Sequence, residues 1–264
     1  MKRYFLYFIL FFFVLLVSIF IYKYHKWNYL WALDDPIEAY PVKHVVDDTI
    51  RVLMIGDSWV GMRTDSLNNS FQSRLSKIVE RPVVLKSNGK GGEKTKGIYQ
   101  SLFETGKYGS LPFVVNGVDY CVIFAGINDA AANIGTLQYC HYYSQIIKFL
   151  LNCNIRPIVI EIPNVDIWHV YESKPIKDYV SDYAKSLMTG CKMYNYQEYR
   201  ETLFNMLNEQ RLIDKVLLVK METWDCSSPE IDSAIFLEDK IHLNRLGYEK
   251  LDNSIAMIIA EDLD

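Results

Sequence analysis

The stretch DYCVIFAGIND, residues 119–129, decides the fold. Its centre, 120–125, is an apolar run with no polar alternation. A strand with one wet face alternates apolar and polar side chains, whereas a short unbroken apolar run closed by a turn signal suits a strand covered on both faces. Gly126 supplies that turn signal. Sheets covered on both faces are characteristically parallel, because their crossover connections lay helices over them.

The same alternation continues outward. A first strand is predicted over 50–55, ending at Gly56, and a helix over 66–79 from the spacing of Leu67, Phe71, Leu75, Ile78 and Val79. A second short strand over 82–85 leads into a glycine-rich turn and a helix over 95–104. Beyond the central strand come a helix over 136–151, a fourth strand over 156–162, helices over 175–188 and 197–212, a fifth strand over 215–219 and a closing helix over 244–260. This order predicts the α/β class: a three-layer α/β/α sandwich around a central, mostly parallel five-stranded sheet. In such sheets, sites form beyond the carboxyl ends of the strands.

Residues 4–22 are uncharged and dominated by Phe, Leu, Ile and Val, with Lys2 and Arg3 before them and Lys23 and Lys26 after. The stretch nearly matches the length of a transmembrane helix. A cleaved signal peptide would have a shorter apolar region and small residues at its end; this one closes on Ile21, Tyr22, Lys23 and Tyr24. The expectation is an uncleaved, single-pass anchor over 1–26, with secretion after signal cleavage as the alternative. Lys2, Arg3 and the amino group slightly outweigh the cations that follow, which favours a domain outside the cytoplasm. Trp27, Tyr29 and Trp31 suit a membrane interface, and 27–48, with Pro36 and Pro41, reads as a linker. The domain is then 49–264, roughly 220 residues and enough for one well-buried core.

Half of the 264 residues are hydrophobic and 23% are charged, a globular composition. A net charge of −4 gives no reason to expect a cationic surface for nucleic acid. Five cysteines, an odd number without a Cys-x-x-Cys pair, indicate neither a disulfide framework nor a zinc site, although one disulfide stays open. Tyrosine is frequent, at 19 residues, for packing or for stacking on carbohydrate.

Four loops carry the polar residues. Gly56-Asp57-Ser58-Trp59 follows the first strand, where a serine hydroxyl can project into a cleft; the alternative is an ordinary turn. After the second strand, Gly89, Gly91 and Gly92 resemble phosphate-binding loops but fit none, because Glu93 and Lys94 break both signatures. What remains is a loop able to offer backbone N–H groups to a developing anion. Gly126-Ile127-Asn128-Asp129 follows the third strand; Asn128 is a neutral donor suited to an oxyanion hole, or alternatively a turn or cap residue. Near the C-terminus, Asp239 stands three residues before His242, close enough to fold back and orient the imidazole, and Asn244 reads as the cap of the last helix. Nucleophile, base, orienting acid and oxyanion donors together are what acyl transfer needs.

On these residues the chain resembles the SGNH, or GDSL-like, hydrolases. GDSW at 56–59, the Gly-x-x-Gly of Gly89 and Gly92, GIND at 126–129 and DKIHLNRLGY at 239–248 match the family's four blocks in order, over about 50–260. The departures are Trp59 in place of Leu, Lys94 in place of a small or hydroxylated residue, and Asn88 displaced by one position. The resemblance implies the flavodoxin-like SGNH fold and an ester hydrolase. Its implied nucleophile is Ser58 with His242 as base and Asp239 as orienting acid. Its oxyanion hole comprises Ser58, Asn128 and Gly92, with Gly91 as the alternative glycine. Asp57 is expected to stabilise the nucleophile turn rather than titrate, and Asp129 to brace the third loop. Neither metal nor organic cofactor is required. The implied substrate is an acylated small molecule, glycan or lipid; Trp59, Trp168, His169 and Trp224 are candidates to line a glycan site, against ordinary packing. An O-acyltransferase with the same residues, or a non-catalytic glycan-binding protein of this fold, are the alternatives.

Overall fold

Unbroken apolar strands form the middle of the molecule. They are β1 (Ile50–Gly56), β2 (Val83–Gly89), β3 (Tyr120–Phe124), β4 (Arg156–Ile160) and β5 (Leu217–Val219), joined in the order β2-β1-β3-β4-β5. Every paired register is parallel. All five residues of β3 are buried, as a strand between two helical layers must be, while β2 and β5 at the edges keep partly exposed positions. The computed structural model describes residues 2–28, 41–43, 45–168, 174–221, 223–228 and 234–264. Most of the 27–48 linker, including Tyr29, Trp31 and Pro36, lies outside the described residues, as do the Trp27 side chain and His169.

The helices are α1 (Lys2–Asn28), α2 (Ser58–Gly61), α3 (Asp65–Val79), α4 (Thr95–Ser101), α5 (Leu111–Val115), α6 (Ile127–Ala131), α7 (Thr136–Asn152), α8 (Ile176–Thr189), α9 (Tyr196–Glu209) and α10 (Arg245–Leu263). α3 and α10 pack together on one face of the sheet; α4, α7 and α9 pack together on the other. Helix starts follow local chemistry. Thr64 Oγ1 accepts from Leu67 N, and Asn244 Oδ1 accepts from Gly247 N, as expected for the closing helix. Within α1, the apolar segment Arg3–His25 is 23 residues long and wholly exposed. At 1.5 Å per residue it spans about 35 Å, enough for a bilayer core of about 30 Å.

The structure differs from the sequence expectation at element ends. β2 continues through Ser87, Asn88 and Gly89, which pair with Met54, Ile55 and Gly56. On an edge strand these polar residues lose no burial, so backbone pairing extends the strand where no apolar signal marks it. At β5 the ladder is only three residues long, because Ile213–Lys215 turns as a 3-10 helix. The short α2, α5 and α6 are too brief for any periodicity to reveal.

Tyrosine divides between core and surface, and among the described residues eight are buried. Tyr139, Tyr142, Tyr143 and Tyr199 are fully buried between α7 and α9 and beneath them. Tyr139 meets Tyr143 edge-on at 5.5 Å between centroids, a geometry aromatic quadrupoles favour, and meets Tyr199 at a tilt at 5.4 Å. All five cysteines are buried.

Candidate active site

Strand register sets the site. Gly56 pairs with both Gly89 and Phe124, so β1, β2 and β3 end at one level and the loops after them share one rim. Ser58 opens α2 directly after β1, and Asp57 caps that turn by accepting Trp59 N at 3.0 Å on Oδ1. Gly89 makes the turn fit. A Cβ there would meet Gly61 N at 2.4 Å and Val60 Cβ at 2.5 Å, so only glycine lets α2 lie on the end of β2. Gly92 takes a left-handed φ of 73°, with open space around it.

The histidine reaches this rim from the far end of the chain. Asp239 Oδ1 accepts the backbone N–H of Ile241 (3.0 Å) and His242 (2.9 Å), folding the loop around the carboxylate. Its other oxygen, Oδ2, lies 2.5 Å from His242 Nδ1. His242 Nε2 lies 2.9 Å from Ser58 Oγ. With Asp239 ionised, the imidazole proton sits on Nδ1, and Nε2 presents its lone pair to the serine hydroxyl. Partial burial raises the Asp239 carboxyl, but hydrogen bonds from the His242 ring, His242 N and Ile241 N outweigh it and hold it below its ordinary value. Such an arrangement can take a proton from the hydroxyl as its oxygen bonds to an electrophile.

Asn128, in α6 after β3, donates from Nδ2 to Glu93 O at 3.0 Å and to Asp57 Oδ2 at 3.3 Å. Asp129 accepts from Thr95 N at 3.2 and 3.1 Å and from Thr95 Oγ1 at 2.9 Å, which ties α4 and the glycine loop to α6. Ser58, Asp57, Asn128, Asp239 and His242 are therefore joined through direct contacts, and Asp129 lies beneath them.

Comparison with solved structures follows from this arrangement. The chain is similar to a lipase/acylhydrolase from Enterococcus faecalis, with a TM-score of 0.57 at 16% identity over 81% of this chain and 97% of that one. It is similar to an acetyl xylan esterase, with a TM-score of 0.56 at 16% identity over 80% of this chain and 100% of the other. A GDSL-like lipase from Parabacteroides merdae gives 0.54 at 14% identity, over 83% and 98%. The chain has the SGNH hydrolase fold. No family model matches the sequence, and no curated protein matches it either.

Within this SGNH fold, Trp59 is buried in the wall of a small cavity that Asp57, Phe124, Ala125 and Ile162 also line. It is 2% exposed, its Nε1 donates to Ile241 O at 3.0 Å, and its own carbonyl accepts from Tyr248 Oη at 2.9 Å. The indole thus bolts the serine turn to the histidine loop. Trp168 is half exposed and meets the Tyr194 ring edge-on, while Trp224 lies in a surface groove with Arg74, Leu246 and Lys250. Sequence reasoning missed Thr95 and Tyr248 as supports. Thr95 directly follows the glycine loop, the one local hint of its place; nothing near Tyr248 signals its bond to residue 59.

Asp57 accepts Trp59 N within the serine turn. Burial pushes its carboxyl up to about 7; the Trp59 N–H opposes this and the neighbouring Asp129 adds to it. Burial likewise pushes Asp129 up to about 6, against the Thr95 donors. The unfolded Asp57 carboxyl titrates near 3.8, so between there and about pH 7 the folded state holds a proton that the unfolded state has released. Stability from this group is therefore lost as pH rises through that window. Asp57→Asn keeps an oxygen for Trp59 N and cannot ionise. Its melting temperature is expected to gain on wild type between pH 5 and pH 8, by about 2–4 °C for each kcal/mol removed. Melts at the two pH values with an unchanged difference would show that Asp57 does not ionise in this range.

Proposed function

We propose that this chain is a serine ester hydrolase that works through an acyl-enzyme. Ser58 is the nucleophile, His242 the general base and then acid, and Asp239 the residue that orients the imidazole. The observation that carries this reading is the 2.9 Å approach of Ser58 Oγ to His242 Nε2, with Asp239 on the opposite ring nitrogen.

Ser58 Oγ bonds to the ester carbonyl carbon while its proton passes to Nε2, and the carbonyl oxygen becomes an oxyanion. Backbone N–H groups of Ser58 and Gly92 and the Asn128 amide receive that charge. In the resting site both Asn128 hydrogens are engaged, and the longer bond, 3.3 Å to Asp57, is the one exchanged for the oxyanion. Collapse of the intermediate expels the alcohol, which takes the proton from His242. Water then attacks the acyl-enzyme by the same steps and frees the acid and Ser58. Asp57 and Asp129 support the two loops.

The substrate class is a carboxylic ester on a glycan or lipid, a short O-acetyl group among them. The similar structures named above, an acylhydrolase and an acetyl xylan esterase, support this range. Helix α1 is an anchor that holds the domain at a membrane, outside the cytoplasm. Labelling of the full chain with a fluorophosphonate, mapped by mass spectrometry, is expected to place the label on Ser58 and to lose it in His242→Ala. A label elsewhere, or full labelling of that variant, would overturn the assignment. Acetylated xylo-oligosaccharides and phospholipid compared as substrates then divide the class, and turnover of neither above background would exclude both.

A further inference from the structure

Helix α8 is amphipathic in the reverse sense. Ile176, Tyr179, Val180, Tyr183 and Leu187 recur at helical spacing and, at about 100° per residue, occupy one arc of about 100°. A surface helix normally turns such a stripe into the core. Here the stripe faces outward, with Ile176 83% and Leu187 58% exposed. The inward side buries Met188 together with a carboxylate. Asp182 is 3% exposed and accepts from Lys174 Nζ at 2.9 Å, Lys185 Nζ at 2.7 Å and Tyr194 Oη at 2.7 Å. Rolling the helix to hide its apolar face would carry Lys185 along but pull this buried carboxylate away from Lys174 and Tyr194, which lie outside the helix, so the outward stripe is held in place.

A contiguous exposed apolar face on a folded domain marks a contact surface. Helix α8 is in contact with α1, which is itself apolar and exposed. Two adjoining apolar surfaces of one chain, one of them long enough to cross a bilayer, share one environment. We propose that the exposed face of α8 lies in the interfacial layer of the bilayer that α1 crosses, so that the domain rests on lipid instead of hanging from a free tether. This rests on the reading of α1 as an anchor. The composition fits: Tyr179 and Tyr183 carry amphipathic rings suited to the headgroup level, and exposed Lys177 flanks the stripe.

Docking of α8 places the catalytic rim near the membrane surface. Lys185 Nζ donates to Ala132 O at 3.3 Å, and Asn133 Oδ1 accepts from Tyr194 N at 2.8 Å, so α8 and the residues after it sit directly on the α6 turn that carries Asn128. That turn then lies about one helix diameter, ~10 Å, from the lipid. The ester it meets is one held at the bilayer surface.

Because all five native cysteines are buried, the full chain can be labelled at single introduced thiols. Tyr183→Cys on α8, Ser18→Cys in α1 and Asn69→Cys on α3 are each given a fluorophore and reconstituted into phosphatidylcholine vesicles. Brominated phosphatidylcholine is expected to quench the labels at 183 and 18, leaving the one at 69 bright, and aqueous iodide to do the reverse. Iodide quenching at 183 with lipid quenching at 18 would overturn docking and leave the anchor intact. Iodide quenching at both would remove both. A 183 label shielded from either quencher, with cross-linking between copies through that thiol, would make the face a dimer interface and also overturn the proposal.

Discussion

Ser58→Ala is expected to lower kcat/KM for a short acyl ester by about 10⁴- to 10⁶-fold while leaving the melting temperature nearly unchanged. The split follows from what the oxygen touches. Ser58 Oγ contacts His242 Nε2 across the cleft, whereas the turn itself is held by the Asp57 side chain on Trp59 N and by Asp57 O, which accepts from Val60 N and Gly61 N. None of these needs the hydroxyl. The N–H of residue 58 also survives, so the oxyanion hole keeps its donors and KM is expected to move little. What vanishes is the covalent path, because among the described residues no other hydroxyl is placed against Nε2. Steady-state kinetics on p-nitrophenyl acetate, paired with a thermal melt, checks both halves. A variant that keeps more than about a tenth of the wild-type rate would end the nucleophile assignment, since such a loss matches about 1.4 kcal/mol of barrier and no change of mechanism.

The legible parts of this chain are those where local pattern and burial agree. β1, β3 and β4 sit between two helical layers, so their apolar runs stand out, and the sheet with its layers follows from them. Residues 87–89 at the edge strand carry no such mark; only pairing with 54–56 makes them a strand. That Ser58, Asn128 and His242 come to one rim was readable, because each stands beside a strand or helix end. The ties between them were not readable. Trp59 Nε1 and Ile241 O meet across 182 positions, and the same turn is held from Tyr248. Asp57 reads as a turn residue, and the burial that pushes its carboxyl up to about 7 is something no short stretch encodes. For α8 the helical spacing was visible in sequence. Which side faces outward is set by the bonds of Asp182 to Lys174 and Tyr194, outside the helix.

Asp239→Asn is expected to lower kcat by about 10⁴-fold with KM and melting temperature close to wild type. In the native loop, Oδ1 takes two backbone N–H groups, from Ile241 and His242, and Oδ2 takes the proton on Nδ1. An asparagine has one oxygen for these two tasks. Two partly buried backbone donors outweigh one ring nitrogen, so the amide oxygen stays with the backbone and the loop keeps its shape. The amide nitrogen then faces Nδ1 as a donor. A neutral imidazole satisfies that donor only by becoming the acceptor at Nδ1, which moves its proton to Nε2. There it points at Ser58 Oγ, and the hydroxyl faces a donor where it needs a base. Geometry is preserved while the tautomer is reversed, and the charge that stabilised the imidazolium is gone. Asp239→Ala provides the contrast: it strips the acceptor from both backbone N–H groups, so it is expected to lower the melting temperature as well as the rate. If Asp239→Asn turned over ester at more than about a tenth of the native rate, the imidazole would have to be held by something other than this carboxylate, and the 2.5 Å contact between them would be a feature of the loop alone.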